Sequence, residues 1–158
     1  MRKQFVDSLS ELARKDDKVI LIVIDVGFSF IEDFAKEFPR QFINAGVTEQ
    51  SAMGMAAGLA LAGYKPYIYS MIPFVTMRNF EQLRNDVCYN DANVKVIGVR
   101  GSVHYKFLGF SHNIAEDEDK TILSVLPNLS QYYPQDDQQV AAAMSAMYGS
   151  AHPGYMRI

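Results

Sequence analysis

Glu49 heads the run "EQSAMGMAAGLALAGY", in which no further charge appears before Lys65. A carboxyl at the lip of so apolar a segment has two readings. The dipole of a helix favours an acid in its first turn. A carboxyl held among apolar groups can also keep or share a proton near neutrality, which is the property that general acid–base chemistry requires. Other chemistries find little support. His104, His112 and His152 lie far apart and lack a ligand spacing with cysteine or acids, so no metal site is expected. No G-x-x-x-x-G-K-[ST] loop, G-x-G-x-x-G fingerprint or G-x-S-x-G elbow occurs, which argues against a stand-alone kinase, dehydrogenase or hydrolase.

The chain must bury a core to position that carboxyl, and it can. It has 158 residues, 49% of them hydrophobic and 21% charged, which suits a single globular domain spanning 1–158. A net charge of −3 argues against a nucleic-acid or anionic-membrane surface. The single cysteine, Cys88, excludes an internal disulfide and suits a reducing compartment. "MRKQFVDSLSEL" has no apolar leader core, and no apolar run reaches the roughly 20 residues of a spanning helix, so a cytoplasmic location is expected.

Strand and helix patterns alternate along the chain. Phe5, Leu9 and Leu12 mark an amphipathic helix over 2–16, and "KVILIVIDVG" reads as a strand buried on both faces. A short helix over 31–38 stops at Pro39, and a second strand follows over 41–46. Thr48 is placed to cap a helix running to Leu61, with Gly63 as its stop. Strands follow over 65–71, 94–99, 128–133 and 154–158, and helices over 74–90, 116–126 and 136–148. This predicts an α/β fold, a three-layer α/β/α sandwich around a six-stranded, mostly parallel sheet.

Ligands of such sheets sit at the carboxyl ends of the strands. Asp25–Ser29, Gly46–Glu49, Ser70–Phe74, Arg100–His112 and Pro134–Asp136 fall there, so Glu49 lies in the expected ring. The helix over 48–62 carries Gly54, Gly58 and five alanines. That leaves it slim enough to press against the sheet or against a second subunit.

The residues from Arg40 to Val99, "RQFINAGVTEQSAMG…VKVIGV", strongly resemble the pyrimidine-binding domain of transketolase-like thiamine diphosphate enzymes. The nearest likeness is to the C-terminal subunit of split transketolases. "GVTEQ" before an Ala/Gly-rich helix and "PF-T-R-FEQ-RNDV" in register carry it, and "LGFSHNIAED", "LPNLSQYYPQD" and "PGYMRI" extend it over nearly the whole chain. The resemblance implies that Glu49 hydrogen-bonds N1′ of the cofactor's aminopyrimidine and so assists proton removal from thiazolium C2. It implies that Phe74 stacks on that ring, with Met77 and Arg78 lining the pocket and Asp25 close to the cofactor. His112 matches a histidine that faces substrate. Ser29, Arg2 and Arg157 match positions near a substrate phosphate. The loop "RGSVHYKF" puts Arg100, His104 and Lys106 at the mouth, which suits a small phosphorylated or acidic substrate.

Two departures bear on specificity. The family's sugar-recognising acid, four residues before the histidine, is Leu108 here, and its Gly-Pro is Gly109-Phe110. Such a domain also serves in the β-type subunit of 2-oxoacid decarboxylases and dehydrogenases, and a non-catalytic regulatory paralogue would keep the fold alone. The family binds diphosphate and Mg²⁺ through a separate domain with a Gly-Asp-Gly signature, and no glycine here precedes an aspartate. That domain and the transketolase C-terminal domain are thus expected elsewhere. The expectation is a partner chain that supplies the diphosphate-binding domain and Mg²⁺ and shares thiamine diphosphate in an α2β2 heterotetramer, with self-association through the helix over 48–62 as a further contact.

Overall fold

Strand β1 (Val19–Val23) is buried at every residue, and its alternation divides the interior in two. Val19, Leu21 and Val23 face one core, and Ile20 and Ile22 face the other. The computed structural model of the chain describes residues 1–101 and 103–158, and the side chains of all of these but 103–105. The remaining strands are β2 (Phe42–Asn44), β3 (Lys65–Met71), β4 (Lys95–Val99), β5 (Ser130–Tyr132) and β6 (Gly154–Arg157). They form one six-stranded sheet in the order β2-β1-β3-β4-β6-β5. Every pairing is parallel, so the mostly parallel sheet expected is wholly so.

Helices cover both faces. On one, α1 (Arg2–Lys15), α2 (Glu32–Glu37) and α7 (Asp137–Gly149) contribute Phe5, Leu9, Phe34, Val140 and Met144 to the core with Tyr67, Tyr69 and Ile97. On the other, α3 (Glu49–Leu61) and α6 (Glu118–Leu123) contribute Met53, Ala56 and Leu123. Gly63 ends α3 as expected. Its φ is +87°, its N–H donates to Ala60 O, and Tyr64 N–H reaches back to Leu59 O, which is a Schellman closure. Thr48 stands at the N-cap of α3 without a side-chain cap bond, because its hydroxyl donates instead to Ala45 O at 2.7 Å. Among the described residues, no helix is long and apolar enough to cross a membrane.

The largest departure from the expected elements lies over 74–90. One helix was expected, and three pieces occur: α4 (Ile72–Thr76), α5 (Phe80–Gln82) and a π-helical segment Leu83–Cys88. Pro73 starts α4 two residues early, where its fixed φ and missing N–H do no harm. Met77 and Arg78 N–H then both donate to Pro73 O, so the chain widens and breaks. Asn79, fully buried, spends its side-chain N–H on Glu49 O across the gap. An apolar stripe at helical period continues through such a break, so periodicity alone did not reveal it.

Candidate functional site

The break between α4 and α5 positions the site. Glu49 is the first helical residue of α3 and only 5% exposed. Arg78, released by the break, donates from Nη1 to Glu49 Oε1 at 2.7 Å. The same guanidinium lies over the Phe74 ring, 4.2 Å from its centroid. Phe74 is one turn earlier, in α4, and is 9% exposed. His112 arrives from the loop after β4 and meets the Phe74 ring edge-on, with centroids 4.9 Å apart and planes at 74°. Three separate segments thus bring Glu49, Phe74, Arg78 and His112 into one contiguous group. Glu49 is joined to Phe74 through Arg78, whose guanidinium is the direct partner of the carboxyl and lies over the ring.

The second half of the site is a cavity of about 350 Å³ beside His112, lined by Ile72, Arg100, Gly101, Asn113 and Glu116 among others. Arg100 is exposed there, and its backbone N–H donates to Ile158 O, which fixes the strand exit. Within the segment read as a loop after β4, residues 103–111 wind as 3₁₀ turns interrupted at Gly109. Its return is tight. A Cβ on Gly101 would lie 2.6 Å from His112 O and 2.1 Å from Asn113 Oδ1, so only glycine lets His112 come this close to β4. Ser111 Oγ lies 2.8 Å from His112 Nδ1, and Asn113 Nδ2 donates to Gly109 O. The side chain of His104 lies outside the described residues. Leu108 turns its carbonyl to Ser111 Oγ and is half-buried. Met77 caps the end of α4 and is half-buried beside Arg78 in the chain.

The contacts of the other candidates lie outside this group. Asp25 and Ser29 sit in the exposed turn after β1, at φ +48° and +70°. Asp25 N–H donates to Asn44 Oδ1, and Ser29 N–H donates to Glu32 Oε1 at 2.8 Å. That bond, with further backbone N–H groups, holds the Glu32 carboxyl below the usual carboxylate range. Arg2 is half-buried and ties the head of α1 to Arg100 O at 2.6 Å. Arg157 does not present its guanidinium to the cavity. It donates to Asp119 Oδ1 at 2.8 Å and to Asp117 Oδ1 at 3.1 Å, and it stacks on Tyr133. Tyr155 donates to the other oxygen of fully buried Asp119, and burial followed by that carboxylate pushes its phenol well above the ordinary value. Arg157 therefore anchors α6 to the sheet.

Sequence reasoning did not single out Asn79 or Gly101. Asn79 Oδ1 is buried with no partner among the described residues, against the back of Glu49. An asparagine within an otherwise helical stripe was its signal, since that residue favours breaks. A buried carboxyl that can accept from a ring N–H, an aromatic face close by and a histidine at that face's edge suit a flat, nitrogen-bearing ring.

Known proteins repeat this arrangement of chain. The family described as "Transketolase, pyrimidine binding domain" matches residues 1–158. An apulose-4-phosphate transketolase subunit of Phocaeicola vulgatus is 36% identical over 158 residues, covering 99% of this chain and 50% of that protein. The 6-deoxy-6-sulfo-D-fructose transketolase subunit SqwH of a Clostridium species is 31% identical, covering 100% of this chain and 49% of that one. Among solved structures, a split gene transketolase described as an inactive beta4 tetramer superposes with a TM-score of 0.86 at 34% identity, over 99% of this chain and 50% of that chain. The chain spans about half the length of the curated relatives it matches.

Proposed function

The chain belongs to the transketolase pyrimidine-binding domain family, and on that premise we propose that it is the pyrimidine-binding subunit of a two-chain, thiamine diphosphate-dependent transketolase. The convergence of buried Glu49 and Phe74 with half-buried His112 on one spot, joined through Arg78, supports this most directly. Glu49 offers a carboxylate oxygen to the ring nitrogen N1′, where a proton can be held or shared. Phe74 offers the face on which the aminopyrimidine stacks, and Met77 and Arg78 border it. When bound, the cofactor supplies the carbon that carries a ketol or acyl unit. A partner chain holds the diphosphate and Mg²⁺, and the assembly is an α2β2 heterotetramer.

His112 stands between the ring site and the 350 Å³ cavity, the position from which it orients a substrate oxygen. Arg100 lines the cavity and fits an anionic substrate end, whereas Arg157 is taken up by Asp117 and Asp119. The two relatives are named for a phosphorylated and a sulfonated sugar, both anionic, which favours the same class here. Asp25 and Ser29, in the exposed turn after β1, are assigned to the neighbourhood of the cofactor and substrate by the family resemblance and not by a contact with this group. The test is reconstitution with a diphosphate-binding partner chain, followed by assays with sugar phosphates and with 2-oxoacids. Ketol transfer between sugar phosphates supports the reading, and turnover of 2-oxoacids alone overturns it.

A further inference from the structure

We infer that Arg78 is an internal plug of the ring site, taking with one side chain both the stacking face of Phe74 and the acceptor oxygen of Glu49. The inference rests on the function proposed above and adds a competition to it. A guanidinium is planar, presents N–H donors along its edge, and lies flat on aromatic rings. These are the properties by which an aminopyrimidine would be held. Arg78 uses both its edge and its charge over the ring: an N–H to Glu49 Oε1 at 2.7 Å, and Cζ over the Phe74 ring 4.2 Å from the centroid. The two contacts are those that the proposed function assigns to the cofactor ring. With Arg78 and His112 in place, Phe74 is only 9% exposed.

The plug is able to move. Arg78 lies in the break between α4 and α5, and its side chain is 49% exposed, so solvent is available on the other side. Ion pairs and cation–π contacts at half-exposed positions are weak and readily exchanged. The ring enters as Arg78 swings outward, and Glu49 trades one N–H donor for another without being left unpaired in a buried position. Arg78 thereby keeps a buried carboxylate satisfied while the site waits, and it rejects rings that cannot replace both of its contacts.

The experiment titrates thiamine, which lacks the diphosphate, into the full chain and follows the aromatic and arginine side-chain resonances by NMR. Arg78→Ala should bind thiamine about 10-fold more tightly than wild type, as for a site that was open only about a tenth of the time. Arg78→Gln, which retains a donor for Glu49 but has no guanidinium plane, guards against simple unfolding and should give a gain of the same sign. The gain should vanish when Phe74→Ala is added to either variant. If both Arg78 variants bind no more tightly than wild type, or not detectably, the plug is overturned. Loss of binding in Phe74→Ala alone then leaves the ring site standing. Thiamine binding unaltered by Phe74→Ala in every background overturns the ring site itself, and the plug with it.

Discussion

At the scale of single residues, Glu49 carries the most weight, and its two readings lose different things on mutation. A helix opener paired to a half-exposed arginine contributes no more than about 1 kcal/mol, so Glu49→Gln should leave the melting curve nearly unchanged. Gln keeps the shape but cannot exchange the proton. In the reconstituted pair, hydrogen–deuterium exchange at thiazolium C2 should slow by roughly 10²-fold. Wild-type exchange in a folded Gln variant would reduce Glu49 to a helix opener. Lys95 makes a different prediction. It is 1% exposed, and its ammonium donates to Ser150 O and His152 O just after α7, with no carboxylate in contact among the described residues. Burial, aided by Lys65, lowers it from 10.5 to about 8. Between those values the unfolded chain holds a proton that the folded chain has released, so this group makes stability rise with pH through that window and adds no slope below it. Buried Cys88, pushed up to about 12 by burial, acts in the opposite direction above pH 9. The test is therefore the difference between urea unfolding of wild type and of Lys95→Met from pH 7 to 10. The difference should grow in favour of wild type as pH rises, and a constant difference would show that Lys95 keeps its ordinary affinity for the proton.

At the scale of elements, the site depends on two departures from regular structure, the break after α4 and the tight return after β4. The break frees Arg78 and seats Asn79 behind Glu49. The return depends on Gly101, where a Cβ would lie 2.6 Å from the backbone oxygen of His112. A flexible side chain could yield to that methyl group, but a backbone carbonyl moves only with its segment. Gly101→Ala should cost about 1–3 kcal/mol and displace His112 from the edge of Phe74. Thermal melts give the first quantity, and loss of the ring-current shift on the His112 protons gives the second. An unchanged histidine shift in a destabilised variant would mean that the loop yields elsewhere. Gly98 has a similar role one layer deeper, since a Cβ there would lie 2.7 Å from the Tyr155 oxygen that bonds Asp119.

At the scale of the whole molecule, α3 is both a wall of the site and an exposed surface. Its inner side buries Ala52, Met53, Ala56 and Ala57, while Ser51, Met55, Gly58 and Ala62 are exposed. A Cβ on Gly58 would meet nothing within 4 Å, so packing inside this chain does not require the glycine. A close-packed helix of a neighbouring subunit would. The isolated chain should sediment as a dimer or larger species, and Gly58→Glu should return it to monomer with little change in melting temperature. A wild-type chain that sediments as a monomer at micromolar concentration would remove α3 as a subunit contact.

Local order along the chain was legible in the sequence because it is set by local physics. The buried run Val19–Val23, the Gly63 stop, the aspartate at the head of α7 and the alternation of strand and helix follow from period, φ preference and capping, each complete within a few residues. So did the candidacy of Glu49 and Phe74, through a motif continuous in sequence. Tertiary structure alone decided what those residues touch. Arg78 reaches Glu49 across 29 positions, and Arg157 reaches Asp119 across 38. Nothing in either neighbourhood says that one arginine meets Glu49 while the other is taken up by the aspartates at the head of α6. The helical stripe through 74–90 hid its own break, because Leu83 and Val87 stay buried whether the turn is α or π. A side chain's partner is fixed by where distant backbone segments come together, and that depends on the packing of the whole sheet rather than on the spacing of any one motif.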